Sequence, residues 1–193
     1  MDFRTFKEKY QKTVVIEYPN NTSKLTPKVT VRVLVYNHVN FIKDCLDSIL
    51  NQKTTFDYEL LIAEDDSTDG SRELCIEYAQ KFPNKIRLLL NSRENNIQIE
   101  GNPTGIFNST FSNYSISSKY IAICEADDYW TDEYSLQKRV DFLEQNEDFV
   151  LTFHNSLNRF EPSGEISKKL ALPTLNEDLI IEKGIIAEFQ YPT

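Results

Sequence analysis

Val29-Thr30-Val31-Arg32-Val33-Leu34-Val35-Tyr36-Asn37-His38 decides how the rest of the chain is read. Valine at every second position, with Leu34 added, suits a strand buried inside a sheet. A polar turn follows at Tyr36, Asn37 and His38. Phe41, Ile42, Cys45, Leu46, Ile49 and Leu50 then line one face of a helix. The same unit of strand, polar turn and helix returns at residues 58–63, which run into Glu64-Asp65-Asp66-Ser67-Thr68-Asp69-Gly70. Leu74, Cys75, Tyr78 and Phe82 line the next helix, which Pro83 stops.

Residues 85–90 are a third expected strand, and Phe107, Phe111 and Tyr114 mark a helix leading to a fourth at 120–124. The run Ile121-Ala122-Ile123-Cys124 is expected to be buried. It ends in Glu125-Ala126-Asp127-Asp128-Tyr129-Trp130, and Leu136, Val140 and Leu143 give a further helix, with another strand expected at 149–153. Alternation of this kind predicts an α/β fold with a mainly parallel sheet and helices on both faces. Right-handed crossovers would bring the turns after Val35, Ala63 and Cys124 to one sheet edge, where α/β proteins bind ligands.

Residues 1–28 are expected to be an appendage packed on the domain, with Phe3, Phe6 and Tyr10 at helical spacing and a short β-like run at Val14-Val15-Ile16. Residues 29–154 form the core. Residues 155–193 have weaker patterning: a turn at Pro162-Ser163-Gly164, an unclear stretch at 170–175, and a short helix broken at Gly184 within 180–189.

The 193 residues carry a formal charge of -9, with 40% hydrophobic and 12% aromatic content. That suffices for a sizeable core, and the acidic balance argues against a nucleic-acid partner, which needs a broad basic face. The three cysteines, Cys45, Cys75 and Cys124, fall at apolar positions without zinc-ligand spacing, as buried thiols do in a reducing compartment. With no signal-peptide core at Met1-Asp2-Phe3-Arg4 and no spanning segment, the expected location is the cytoplasm, with peripheral contact at the inner membrane face compatible.

The chemistry is concentrated in the acidic turns. Glu125, Asp127 and Asp128 repel one another unless a cation or proton offsets the charge, and a hard divalent ion carrying substrate phosphates is the simplest such cation. Asp65 or Asp66 can accept hydrogen bonds from a base edge or a ribose, while Ser67, Thr68 or Asp69 caps the next helix. Tyr36 is placed to stack on a nucleobase. The aperiodic residues 91–103, with Glu94-Asn95-Asn96, are long enough to be a binding loop. His38 and His154 are expected to be caps or surface groups, since neither has a second metal ligand at suitable spacing.

Taken in order, Val31 to His38, Cys45-Leu46-Asp47-Ser48-Ile49-Leu50-Asn51-Gln52, Glu64 to Gly70 and Glu125 to Trp130 resemble the successive signatures of a family 2 glycosyltransferase with the Rossmann-like GT-A fold. Arg93-Glu94-Asn95-Asn96 and Leu136-Gln137-Lys138-Arg139-Val140-Asp141-Phe142-Leu143 resemble a bacterial branch that modifies surface polysaccharides.

The resemblance implies a nucleotide-diphosphate sugar donor, most often a UDP-sugar, a saccharide or lipid-linked acceptor, inversion at the anomeric carbon, and Mn²⁺ or Mg²⁺. It places Val35, Tyr36, Asn37, Asp65, Asp66, Asn96 and Asp127 at the nucleotide and Asp127 and Asp128 at the metal. Within it, Tyr36 stacks on the base and Asp65 holds the base's polar edge. Glu125 stands where the family often has Asp, and Asp66 where it often has Gly. The catalytic base has no counterpart here: Glu161, Glu165 and Asp178 are available carboxylates without a motif around them. The expectation is therefore a donor-binding portion of a longer enzyme. The alternative is a non-catalytic sugar-nucleotide-binding module. A phosphatase or receiver-like domain fits less well, because its key aspartate would follow the first strand, where Tyr36-Asn37-His38 stands.

Overall fold

The computed structural model describes residues 1–19, 26–154, 156–160 and 162–167. The chain divides into two compact units, Met1–Asn146 and Glu147–Thr193. The first contains helix α1 (Phe3–Tyr10), strand β1 (Ile16–Glu17), β2 (Val29–Val35), α2 (Ile42–Leu50), β3 (Tyr58–Glu64), α3 (Ser71–Lys81) and β4 (Ile86–Leu90). A hairpin of β5 (Gln98–Ile99) and β6 (Asn102–Pro103) follows, then α4 (Ile106–Tyr114), β7 (Tyr120–Ile123) and α5 (Ser135–Gln145). One five-stranded sheet has the order β1-β4-β3-β2-β7. β4, β3, β2 and β7 are parallel to their neighbours, and β1 closes the far edge antiparallel to β4.

The strand register explains the two faces. Val29, Val31 and Val33 lie opposite Tyr58, Leu60 and Ile62, which in turn neighbour Ile86 and Leu88. This apolar layer packs with Ile42, Cys45, Leu46 and Ile49 of α2, Cys75 and Tyr78 of α3, and Leu136 and Val140 of α5. The other face of β2 carries Arg32, which donates to Asn113 (2.5 Å) and Ser109 (3.4 Å) of α4. α4 therefore covers that face, and α1 covers α4: Phe6 lies against Phe107 at 5.2 Å and Phe3 edges onto Phe111 at 5.1 Å. The N-terminal residues pack on the sheet domain as a helix and an edge strand, although the strand is shorter than the apolar run at Val14 implied.

Two sequence expectations need correction. The strand at 120–124 is buried on one side only: Cys124 is in the core with Tyr120 and Ala122 packed against it, but β7 is the last strand of the sheet among the described residues, and Ile121 and Ile123 are 51% and 55% exposed. They stand opposite Thr30 and Arg32, on the α4 side, while α4 packs mainly over β2 and β3. Residues 149–153 form no strand. In the second unit Val150 is 94% exposed and Leu151 60%, so the run is not held in a buried layer.

The described part of that unit holds a hairpin of β8 (Arg159–Phe160) and β9 (Glu165–Ile166). It turns at Pro162-Ser163-Gly164, with Gly164 in the left-handed region at φ 70°. The expectations at 170–175 and 180–189 and on Glu161 and Asp178 lie outside the described residues. Among the described residues no helix is long and apolar enough to cross a membrane.

Burial predicts an asymmetry between two isoleucines. Ile62→Ala, at a fully buried position, is expected to cost about 2–5 kcal/mol in urea unfolding, and Ile121→Ala under about 1 kcal/mol. Equal losses would contradict the open edge at β7.

Candidate functional site

β2, β3 and β7 are adjacent and parallel, so the segments leaving Val35, Glu64 and Ile123 emerge at one edge. β2 pairs with β3 on one side and β7 on the other, which makes the gap above β2 the point where strand order reverses. Ligands of open α/β sheets bind in such crevices.

The first two turns are laced together. Asn37, at φ 57°, donates its N–H to Ser67 Oγ (3.0 Å) and accepts from Thr68 N (2.9 Å) through its amide oxygen. His38 and Val39 donate backbone N–H groups to Ser71 Oγ (2.8 Å) and Asp69 Oδ2 (3.0 Å). The N-cap of α3 is Gly70, at φ 102°, and not Ser67, Thr68 or Asp69; Asp69, one residue before it, accepts from Ser71 N at 2.9 Å. His38 serves α2 through its carbonyl, which accepts from Phe41 and Ile42.

Each acid of the first acidic turn has a different task. Glu64 has no exposed surface; it accepts from Ser67 N (2.6 Å) and Asp66 N (3.2 Å) and pairs with Arg72 at 2.9 Å. Asp66 occupies the left-handed region at φ 64°, which glycine enters freely and aspartate tolerates. Its carboxylate takes Arg72 (3.1 Å) and the N–H of Arg93 (3.2 Å), so the replacement of glycine adds a tie to the loop after β4.

Asp65 is 3% exposed and accepts from Asn91 Nδ2 (2.8 Å), Arg93 (2.9 Å) and Asn96 Nδ2 (3.3 Å). Burial pushes both Glu64 and Asp65 above their ordinary values; Ser67 and Arg72 oppose this at Glu64, and Arg93, Asn91 and Asn96 at Asp65. Asn96 leaves its Oδ1 buried without a hydrogen-bond partner.

Arg93 joins this cluster to Tyr36, since its guanidinium lies 3.8 Å from the centre of that ring. Tyr36 is 40% exposed, whereas Val35 points into the core and gives its carbonyl to Asp65 N at 2.9 Å. Arg72 was not singled out in the sequence, and Arg93 and Asn91 only as parts of Arg93-Glu94-Asn95-Asn96 and of the aperiodic residues 91–103, without a role of their own. The signal for Asn91 and Arg93 was their place at the start of the aperiodic loop after β4.

At the third turn, Asp127 and Asp128 are exposed beyond β7 while Ala126 and Trp130 are buried. Asp128 N donates to Glu125 O at 3.0 Å, and Trp130 N donates to Ser48 Oγ at 3.1 Å, which fixes the turn against α2. Among the described residues no three carboxylate, thiol or imidazole groups converge as a metal cage. Two exposed carboxylates at a strand end still fit a Mg²⁺ or Mn²⁺ ion that takes its remaining ligands from water and substrate phosphates. Cys45, Cys75 and Cys124 are buried free thiols, with Cys45 and Cys124 sulfurs 3.8 Å apart.

Comparison with known proteins identifies the class. Residues 30–164 match the model of glycosyl transferase family 2, and the chain belongs to that family. An uncharacterized protein of Mycobacterium tuberculosis is 34% identical over 119 residues, covering 62% of this chain and 32% of that protein. Glycosyltransferase GlyA of Streptococcus pneumoniae is 32% identical over 136 residues, 69% of this chain and 18% of the relative. The chain thus spans a third or less of these relatives' lengths. Among solved structures, the mannosyltransferase PcManGT from Pyrobaculum calidifontis, in complex with GDP-Man and Mn²⁺, superposes over 70% of this chain and 37% of its own with a TM-score of 0.49 at 22% identity.

The raised value of Asp65 makes a pH prediction. A carboxyl whose folded pKa exceeds its unfolded value keeps its proton longer in the native state, so its contribution to stability falls as pH rises from the unfolded to the folded pKa. Urea unfolding from about pH 3 to pH 7 should show wild-type stability falling relative to Asp65→Asn across the window just above the ordinary aspartate value. A difference that grows with pH would contradict the assignment.

Proposed function

We propose that this chain is the donor-binding part of an inverting glycosyltransferase that moves a sugar from a UDP-sugar to a saccharide or lipid-linked acceptor. The observation that carries the reading is the buried, unpartnered Asn96 Oδ1 beside the Asp65 carboxylate, with the half-open ring of Tyr36 joined to the same cluster through Arg93. Uracil has a ring N–H flanked by two carbonyl oxygens. Asp65 and Asn96 Oδ1 offer acceptors for the N–H, and the Arg93 guanidinium and the asparagine amides offer donors for the carbonyls. Tyr36 supplies the stacking face.

On this reading Asn37 and Asp66 hold the shape of the nucleotide pocket and Val35 carries it through its backbone. Asp127 faces ribose and metal, and Asp128 the metal. Mn²⁺ or Mg²⁺, when bound, neutralises the charge that develops on the departing diphosphate. An acceptor hydroxyl attacks the anomeric carbon from the opposite side and gives its proton to a carboxylate base. Of the carboxylates named for that role only Glu165, in β9, is among the described residues, and the base stays unassigned. Sugar nucleotides and the free thiols both suit a cytoplasmic location.

Calorimetric titration with UDP tests the proposal. Tyr36→Ala and Asp65→Asn are each expected to weaken UDP binding about tenfold, or about 1.4 kcal/mol. Asp127→Asn and Asp128→Asn should erase the gain in affinity that Mn²⁺ gives while leaving metal-free binding in place. UDP binding that none of the four substitutions changes would overturn the reading. Tight binding without sugar transfer by the longest form of the protein would favour the non-catalytic module instead.

A further inference from the structure

The segment before β2 is more than packing. Residues 11–17 run past the loop that follows β4, and the pairing of Ile16 with Leu90 and Glu17 with Leu89 places them there. Lys12 N and Thr13 N both donate to Asn95 Oδ1, at 2.7 and 2.8 Å. Asn95 Nδ2 donates back to Thr13 O (2.8 Å) and to Asn91 Oδ1 (2.9 Å), and Asn91 Nδ2 donates to Asp65 Oδ1 (2.8 Å). Asn95, Asn91 and Asp65 are all at least 97% buried. Thr13 Oγ1 adds a bond of 2.5 Å to Glu94.

The direction of this relay is set at its outer end. Backbone N–H groups can only donate, so Lys12 and Thr13 demand an acceptor and fix which end of the Asn95 amide is oxygen. The Asn95 NH₂ must then face Asn91, which in turn presents its oxygen to Asn95 and its NH₂ to Asp65. A flip of either amide sets donor against donor or acceptor against acceptor, inside a region where unmatched polar groups are costly.

We propose that residues 11–17 belong to the nucleotide-recognition machinery, with Asn95 as the positioning residue through which their backbone fixes the Asn91 donor on Asp65. This rests on the reading of Asp65 as the group that holds the base. The strap lies outside the family match, which begins at residue 30.

Asn95→Asp tests it. The carboxylate still accepts from Lys12 and Thr13 and keeps the strap docked, but it loses both donors and sets an anion against Asn91 Oδ1. Asn91 must then turn its NH₂ outward and its oxygen toward Asp65. UDP affinity is expected to fall about tenfold at neutral pH, a loss of about 1.4 kcal/mol. Asp65, deprived of a donor that lowers its pKa, should protonate more readily, so the acid limb of UDP binding moves to higher pH. Destabilisation alone would leave that limb where it is.

If wild type binds UDP and the variant binds equally well with an unmoved acid limb, the inference fails and the reading of the site survives. If wild type does not bind UDP, both fail. Should the variant not fold, exchange of the Lys12 and Thr13 amide protons in wild type decides. Coupling requires UDP to slow it, and unchanged exchange in a chain that binds UDP overturns the proposal.

Discussion

Two neighbouring carboxylates, Glu64 and Asp65, are buried at the end of one strand, and the surrounding structure exists in large part to compensate them. An isolated charge taken out of water costs several kcal/mol, so each needs its own cation and its own N–H donors. Because successive side chains of a strand point to opposite sides, the two acids draw on different partners. Glu64 takes Arg72 from α3 and the N–H groups of its own turn. Asp65 takes Arg93, Asn91 and Asn96 from the loop after β4. The first choice locks the turn to the helix below it. The second ties the loop after β4 to this strand end and sets Arg93 over the ring of Tyr36.

How much of this was legible depends on whether a residue's signal is periodic. β2 and β3 could be found because alternating valines, and the apolar run from Tyr58, state their burial in the sequence itself. The helix faces at Ile42-Cys45-Leu46-Ile49 and Leu136-Val140 are of the same kind. Position within the sheet carries no such mark: Ile121 and Ile123 look like core residues, but β7 is an edge, and only topology exposes them. The run at 149–153 has strand composition, but composition alone does not set a ladder, and it forms no strand. In the site, Tyr36 and Asp65 stood out as unusual residues at strand ends. The pairing of Arg93 and Asn91 with Asp65 did not, because a partner 28 or 26 residues away leaves no local pattern.

Membership of glycosyl transferase family 2 gives residues 30–164 their identity, and the first 17 residues pack against that core. Phe3 and Phe6 seat α1 on α4, and the stretch beyond it reaches the buried asparagines behind Asp65. Ile121 and Ile123 are exposed on the edge strand, and the match spans a third or less of the relatives' lengths.

The central claim is that turns distant in the chain share one metal-dependent nucleotide pocket. Paramagnetic relaxation by Mn²⁺ tests it most directly, because the ion broadens nuclear resonances only in its vicinity. With UDP present, the amide signals of Asp127 and Asp128 should vanish first, and those of Tyr36, Asn37 and Asp66 should broaden with them. Broadening centred elsewhere, or confined to Asp127 and Asp128 and indifferent to UDP, would contradict the account.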